Sequence, residues 1–154
     1  MNRKFKILII EDNLADFVLL EKALNLIEGV CIEIRYVQDG QEGINYVFKE
    51  GKYAGEATPD LIILDLNLPI KSGFEVLKKI KKDDIYKIIP IIIYSTSESS
   101  IDIISSYSLY ANSYIAKTFD IKELFEKIKH FGNYWVKTVS LPVDECYCPV
   151  NEEK

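Results

Sequence analysis

Residues 61–73 read LIILDLNLPIKSG. Four consecutive apolar residues suit a strand covered on both faces, where a one-sided strand would alternate. The run ends abruptly in Asp65, and a short turn containing Pro69 and Gly73 follows. Burying an ionised carboxylate without a partner is expensive. An acid at the end of a core strand therefore calls for a counter-charge, and the rest of the chain can be searched for one.

Four other short runs resemble the first. FKILII (5–10), CIEIRYV (31–37), PIIIY (90–94) and NSYIAK (112–117) are rich in branched or aromatic residues. Helical patterns lie between them. NLADFVLLEKALNLI places apolar residues at Leu14, Val18, Leu19, Leu24 and Ile27, and SGFEVLKKIKKD presents Phe74, Leu77 and Ile80 with lysines opposite. DIKELFEKIKHFGNYW opens on Asp120 as an N-cap and spaces Ile121, Leu124, Phe125, Ile128, Phe131 and Trp135 at helical intervals. Strand and helix alternate five times. That order predicts an α/β, doubly wound domain: a five-stranded parallel sheet with helices on both faces, joined by right-handed crossovers. KEGKYAGEATP (49–59) reads as a loop longer than usual. After about Val139 periodicity is lost, so the domain is expected over residues 1–139 and an irregular tail over 140–154.

A chain of 154 residues fits one core. With 48% hydrophobic and 28% charged residues the composition is globular, and no apolar run approaches the ~18 residues of a membrane span. The initial ILII is too short for the roughly 7 to 15 residues of a signal-peptide core, so a cytoplasmic location is expected. Net charge is formally −5 with dispersed lysines, which gives no electrostatic footprint for nucleic acid. Cys31, Cys146 and Cys148 are expected as free thiols, and the lone His130 as a surface residue.

In an open parallel sheet, ligands bind outside the carboxyl ends of the strands. Strand one ends in Glu11 and Asp12, strand three in Asp65, strand four in Ser95 and Thr96, and strand five in Lys117. Each has a bland explanation as a cap, turn or solvated charge. Together the acids would repel one another unless a cation intervened, and magnesium suits one or two carboxylates plus water and phosphate oxygens. A lysine, a hydroxyl and magnesium make a site for a phosphoryl group, with one carboxylate free to act as nucleophile.

The motifs IIEDN, LDLNLPIKSG, IIYSTS and YIAK resemble, in order and spacing, the receiver domain of two-component response regulators over about residues 4–136. DLNLP, the 49–59 loop, SYIAKTFD and YWVKTVSLP look, more narrowly, like small single-domain receivers that partner bacterial phytochromes. The resemblance implies the flavodoxin-like strand order 2-1-3-4-5. It implies Asp65 as phosphoacceptor from a sensor histidine kinase, and magnesium held by Asp12, Asp65 and the backbone carbonyl of Asn67, with Glu11 acting through a water. Ser95 and Lys117 would bind the aspartyl phosphate, Tyr114 would follow Ser95 as the switch aromatic, and Asn67 and Ser97 would tune the phosphate's lifetime. The fourth and fifth helices and last strand would form the switched surface. A homodimer through the aromatic-rich last helix is a further implication.

One departure matters. The family usually has a cis proline after the lysine, whereas here Thr118 follows, and a cis bond without proline costs about 2.5–4 kcal/mol. Lys117 is therefore expected either after a trans bond with altered placement or in a retained cis bond. The rivals are a phosphorylation-independent binding module, an aspartyl-nucleophile phosphatase and a flavin binder. Asn67 stands where the phosphatase needs a second acid, and EDNLAD would repel a flavin phosphate.

Overall fold

The computed structural model describes residues 3–142. Five strands form one parallel sheet: β1 (Phe5–Ile10), β2 (Ile32–Val37), β3 (Leu61–Leu64), β4 (Ile91–Ser95) and β5 (Ser113–Ala116), in the order β2-β1-β3-β4-β5. Five α-helices alternate with them: α1 (Leu14–Asn25), α2 (Gly40–Val47), α3 (Gly73–Lys81), α4 (Ser100–Ser108) and α5 (Ile121–Phe131). This is the expected doubly wound architecture, flavodoxin-like in strand order. The tail expected over 140–154 falls outside the described residues from position 143, as do Cys146 and Cys148. Cys31 is a free, exposed thiol.

The period-two geometry of the strands divides the core into two layers. Leu8, Ile10, Ile62, Leu64, Ile91 and Ile93 face a layer completed by Ile44 and Val47 of α2 and by Val76, Leu77 and Ile80 of α3. Ile7, Ile9, Leu61, Ile63 and Ile92 face the other way, against Leu20 and Leu24 of α1 and Leu124, Ile128 and Phe131 of α5. Because both faces are covered, the three central strands need apolar residues at consecutive positions, as read from the sequence.

Of the apolar residues expected to face the core from α1 and its end, Leu24 is buried and Leu19 and Ile27 pack beside it, but Leu14 and Val18 do not. Leu20, Ala23 and Leu24 are buried, whereas Leu14 and Val18 are 61% and 37% exposed. At 100° per residue, positions 14 and 18 lie on the side opposite Leu20, so a leucine-rich helix offers two apolar stripes and the sheet takes one. In α5, Ile121 is likewise exposed, since the first turn stands beyond the carboxyl edge of the sheet. The helix expected to run through Trp135 changes at Phe131 into a wide π-helical stretch, Gly132–Thr138. A Cβ at Gly132 would lie 2.3 Å from Ile27 Cδ1, so the absence of a side chain lets this stretch close on the end of α1. The aromatic surplus of this segment is largely packed: Phe131 is buried, and Phe125 and Trp135 are half-buried against the α1/α5 layer. Tyr134 remains exposed.

At the amino edge of the sheet, Asp60 is fully buried. Its carboxylate accepts the Lys6 backbone N–H at 2.8 Å and pairs with the Arg3 guanidinium, while its own N–H donates to the Lys6 carbonyl at 2.8 Å. Replacing Asp60 with alanine leaves the Lys6 N–H without its side-chain acceptor, and should lower the unfolding free energy by about 1–3 kcal/mol in urea titrations. Asp60→Asn, which keeps an acceptor oxygen, should cost less.

Candidate functional site

The sheet ladder does not stop at the strand ends. Glu11 N–H donates to the Val37 carbonyl (3.1 Å), Asp65 N–H to the Ile10 carbonyl (3.0 Å) and Lys117 N–H to the Ser95 carbonyl (2.7 Å). Each of these residues is thus fixed through its own backbone to a neighbouring strand. Their side chains converge at the carboxyl edge. Lys117 Nζ lies 2.6 Å from Glu11 Oε2, 2.9 Å from Asp16 Oδ2 and 3.0 Å from Asp65 Oδ2. Glu11 and Ser95 are buried, Asp65 is 6% exposed, and Asp12 is exposed to solvent. Carboxylate oxygens of Glu11, Asp12 and Asp65 lie within 4.8 Å of one another.

The loops around this cluster are shaped by local bonds. Asn13, the residue after Asp12, caps α1 by accepting the Asp16 N–H at 3.0 Å. Glu11 Oε1 accepts the Asn13 N–H at 3.1 Å, so both Glu11 oxygens have partners. Asn67, itself exposed, donates its backbone N–H to Asp65 Oδ1 at 3.3 Å. The chain then turns sharply at Ile70, whose φ of +69° is unusual for a β-branched residue, with Lys71 N–H bonded to the Pro69 carbonyl at 2.8 Å. Ser72 and Glu75 form a reciprocal capping box that starts α3. A Cβ on Gly73 would meet the Asp65 carbonyl oxygen at 2.1 Å, so only glycine lets α3 begin this close to the acid.

The hydroxyl side of the site is connected to α4 and β5. Ser95 Oγ accepts the Ser97 N–H at 3.3 Å, Ser97 Oγ donates to Asp102 Oδ2 at 2.6 Å, and Tyr114 OH donates to the Ser97 carbonyl at 2.8 Å. Thr96 is exposed and stands apart from this chain of bonds. The Lys117–Thr118 peptide is trans, as are all others among the described residues. Thr118 Oγ1 accepts the Asp120 N–H at 3.2 Å and donates to Glu123 Oε2 at 3.0 Å, building the turn into α5. His130 is exposed, as expected.

The charges are strongly coupled. Burial pushes the Glu11 carboxyl up to about 7; the hydrogen bond from Lys117 opposes this, and the charge of Asp65 adds to it. Burial disfavours the Lys117 cation, but the bonds to Glu11 and Asp16 outweigh burial and hold its pKa above the usual lysine value. Its ammonium also sits 5.3 Å from the centre of the Tyr94 ring.

The structure thus brings together Glu11, Asp12, Asp65 and Lys117, and links Ser95, Ser97 and Tyr114 in a second group beside them. Two further acids take part that the strand-end search did not find. Asp16 and Asp102 lie in the first turns of α1 and α4, where an acid is ordinary. For Asp16 the available signal was its position one helical turn beyond Asp12.

Known proteins place this arrangement. The model of the response regulator receiver domain matches residues 7–129. The response regulator Rcp1 of Synechocystis is 37% identical over 136 residues, covering 88% of this chain and 92% of that one. The crystal structure of the phosphorylated cyanobacterial phytochrome response regulator RcpA superimposes with a TM-score of 0.88 at 43% identity, covering 92% of this chain and all of that one. The Mn(2+)-bound form of response regulator Rcp1 gives a TM-score of 0.85 at 36% identity, over 90% of this chain and 99% of that one. A doubly wound sheet with an acidic cluster and a lysine on its carboxyl edge defines a class of signalling module. This chain belongs to the response regulator receiver domain family.

The raised Glu11 carboxyl has a consequence for stability without added metal. A carboxyl whose folded pKa exceeds its unfolded one supports folding fully below about pH 4.5, and that contribution is lost as pH rises through about 7. Urea midpoints of the native protein should therefore fall relative to those of Glu11→Gln between pH 5 and pH 7.5. Parallel midpoints would mean that Glu11 does not titrate there.

Proposed function

We propose that this protein is a phosphorylation switch in which Asp65 accepts a phosphoryl group from the phosphohistidine of a sensor histidine kinase. The observation that carries this reading is the cluster of Glu11, Asp12 and Asp65 oxygens with Lys117 beside it. An Asp65 oxygen attacks phosphorus, the P–N bond breaks with its electron pair passing to the imidazole, and an acyl phosphate forms on Asp65. Lys117 and the Ser95 hydroxyl receive the new phosphoryl oxygens. The donor set, all oxygen, fits a hard divalent cation. Asp12, Asp65 and the Asn67 carbonyl would hold magnesium directly and Glu11 through a water, in keeping with the partners already on both Glu11 oxygens. Magnesium would neutralise charge on the phosphoryl group during transfer. The domain is signalling machinery and its chemistry is confined to its own modification.

The output follows from Ser95. Drawing its hydroxyl towards a phosphate competes with the bond from Ser97 N–H, and Ser97 carries the acceptor that holds Tyr114. Release of Tyr114 would rearrange α4, β5 and the start of α5, where Ile101, Ile104, Phe119 and Ile121 are already exposed. Asn67, two residues after the acceptor, and Ser97, two after Ser95, would set how readily water reaches the phosphate. The receiver domain would span residues 1–139, with 140–154 as an appended tail.

The name of RcpA as a phytochrome response regulator supports a phytochrome-like kinase as partner, and hence a place in the cytoplasm beside it. No helix among the described residues is long and apolar enough to cross a membrane. Exposed Tyr134, beside a groove of Tyr114, Ile115, Phe131 and Trp135 at the edge of β5, supports self-association through the last helix.

Acetyl phosphate with magnesium should add one phosphoryl group, seen as a mass increase, and Asp65→Asn should abolish it; label that survives this change refutes the assignment. Sedimentation should detect a dimer at micromolar concentration, weakened by Tyr134→Ala. A monomer with and without phosphorylation removes the dimer.

A further inference from the structure

A lysine ammonium has three N–H donors. In this site three carboxylates lie within hydrogen-bond distance of Lys117: Glu11 at 2.6 Å, Asp16 at 2.9 Å and Asp65 at 3.0 Å. Glu11 and Asp65 belong to the cluster suited to a cation, and Asp16 does not. Asp16 stands on the first turn of α1 with its side chain 34% exposed, beside a Lys117 side chain that is 7% exposed. We infer that Asp16 is a positioning residue that tethers Lys117 and keeps its ammonium aimed at Asp65 while the other two acids change state.

The inference rests on the phosphoacceptor reading, and the argument is one of charge. A divalent cation held by Asp65 and, through a water, by Glu11 would make both poorer acceptors for the ammonium. When Asp65 becomes an acyl phosphate, the negative charge that Lys117 faced moves outward to the phosphoryl oxygens. Asp16, outside the cation cluster and not itself modified, keeps its place through both events, because Asn13 holds its backbone at the helix cap. Without it, Lys117 would settle on Glu11 and Asp65, competing for the oxygens that a cation uses and lying away from the incoming phosphoryl group. The alternative is that Asp16 merely complements the positive end of α1. The two accounts diverge in sign, since removing a negative charge from the site should, by itself, speed attack on an anionic phosphodonor.

The test compares native protein, Asp16→Asn, Asp16→Glu, Lys117→Ala and the Asp16→Asn/Lys117→Ala double variant. With acetyl phosphate at saturating magnesium, Asp16→Asn should slow phosphorylation about five- to tenfold, the order expected for losing one charged contact to a reacting group. Asp16→Glu should recover most of the rate. In the Lys117→Ala background Asp16→Asn should have no further effect. Independently of phosphorylation, the Lys117 Nζ–H resonance of the metal-free protein should be visible by NMR and be lost to solvent exchange in Asp16→Asn. An unchanged or faster rate, the same loss with Lys117 absent, or an unaltered ammonium resonance overturns the tether. If the native protein takes no phosphoryl group, the phosphoacceptor reading fails, and the ammonium resonance still decides whether Asp16 holds Lys117.

Discussion

One ammonium group reconciles the carboxyl edge of this sheet with folding. Four acids, Glu11, Asp12, Asp16 and Asp65, meet there, and Glu11 and Asp65 have little access to water. Lys117 touches three of them and contributes a single positive charge. The cluster is therefore underneutralised, which explains why burial still lifts the Glu11 carboxyl. An edge left short of positive charge is chemically receptive to a divalent cation.

Much of this was legible in the sequence because the strands are short and end abruptly. In LIILD and KILIIED the change from apolar to acidic residues marks both the strand's end and the functional edge. The helices were less transparent. In α1 the leucines and valine populate two stripes, and hydrophobicity alone does not say which meets the sheet; Leu20 and Leu24 do, and Leu14 does not. Asp16 and Asp102 were hidden for a different reason. An acid in the first turn of a helix is already accounted for by the helix itself, so its partner shows only when the strands are brought side by side. Thr118 was the open question at the end of β5. The trans bond leaves Lys117 within reach of all three acids, and the threonine side chain joins the turn where the family's usual proline has no donor to offer.

The site is divided into two mechanically distinct halves. On the acid side, positions are held by sheet hydrogen bonds, a capping box and the close approach of Gly73 to the Asp65 carbonyl. On the hydroxyl side, Ser95, Ser97, Asp102 and Tyr114 are joined by side-chain bonds that bridge β4, α4 and β5. α4 contributes only Ser106 as a fully buried helix residue, Ile101 and Ile104 face outward and Ile103 is half-buried, so little apolar packing opposes its movement. A stiff acidic edge thus borders an element held in place chiefly by polar contacts.

β3 is only four residues long, and it has a carboxylate at each end. Asp60 is anchored to Lys6 and Arg3 at one edge of the sheet, and Asp65 lies beside Lys117 at the other. A strand of apolar residues flanked by neighbours of the same kind could slide along them with little change in packing, since isoleucine and leucine replace one another readily. Here a slip by two residues in either direction would pull an acid in among isoleucines and strip it of its cation. The paired charges act as stops at the two ends of a slide and hold the alignment of β3 between its neighbours.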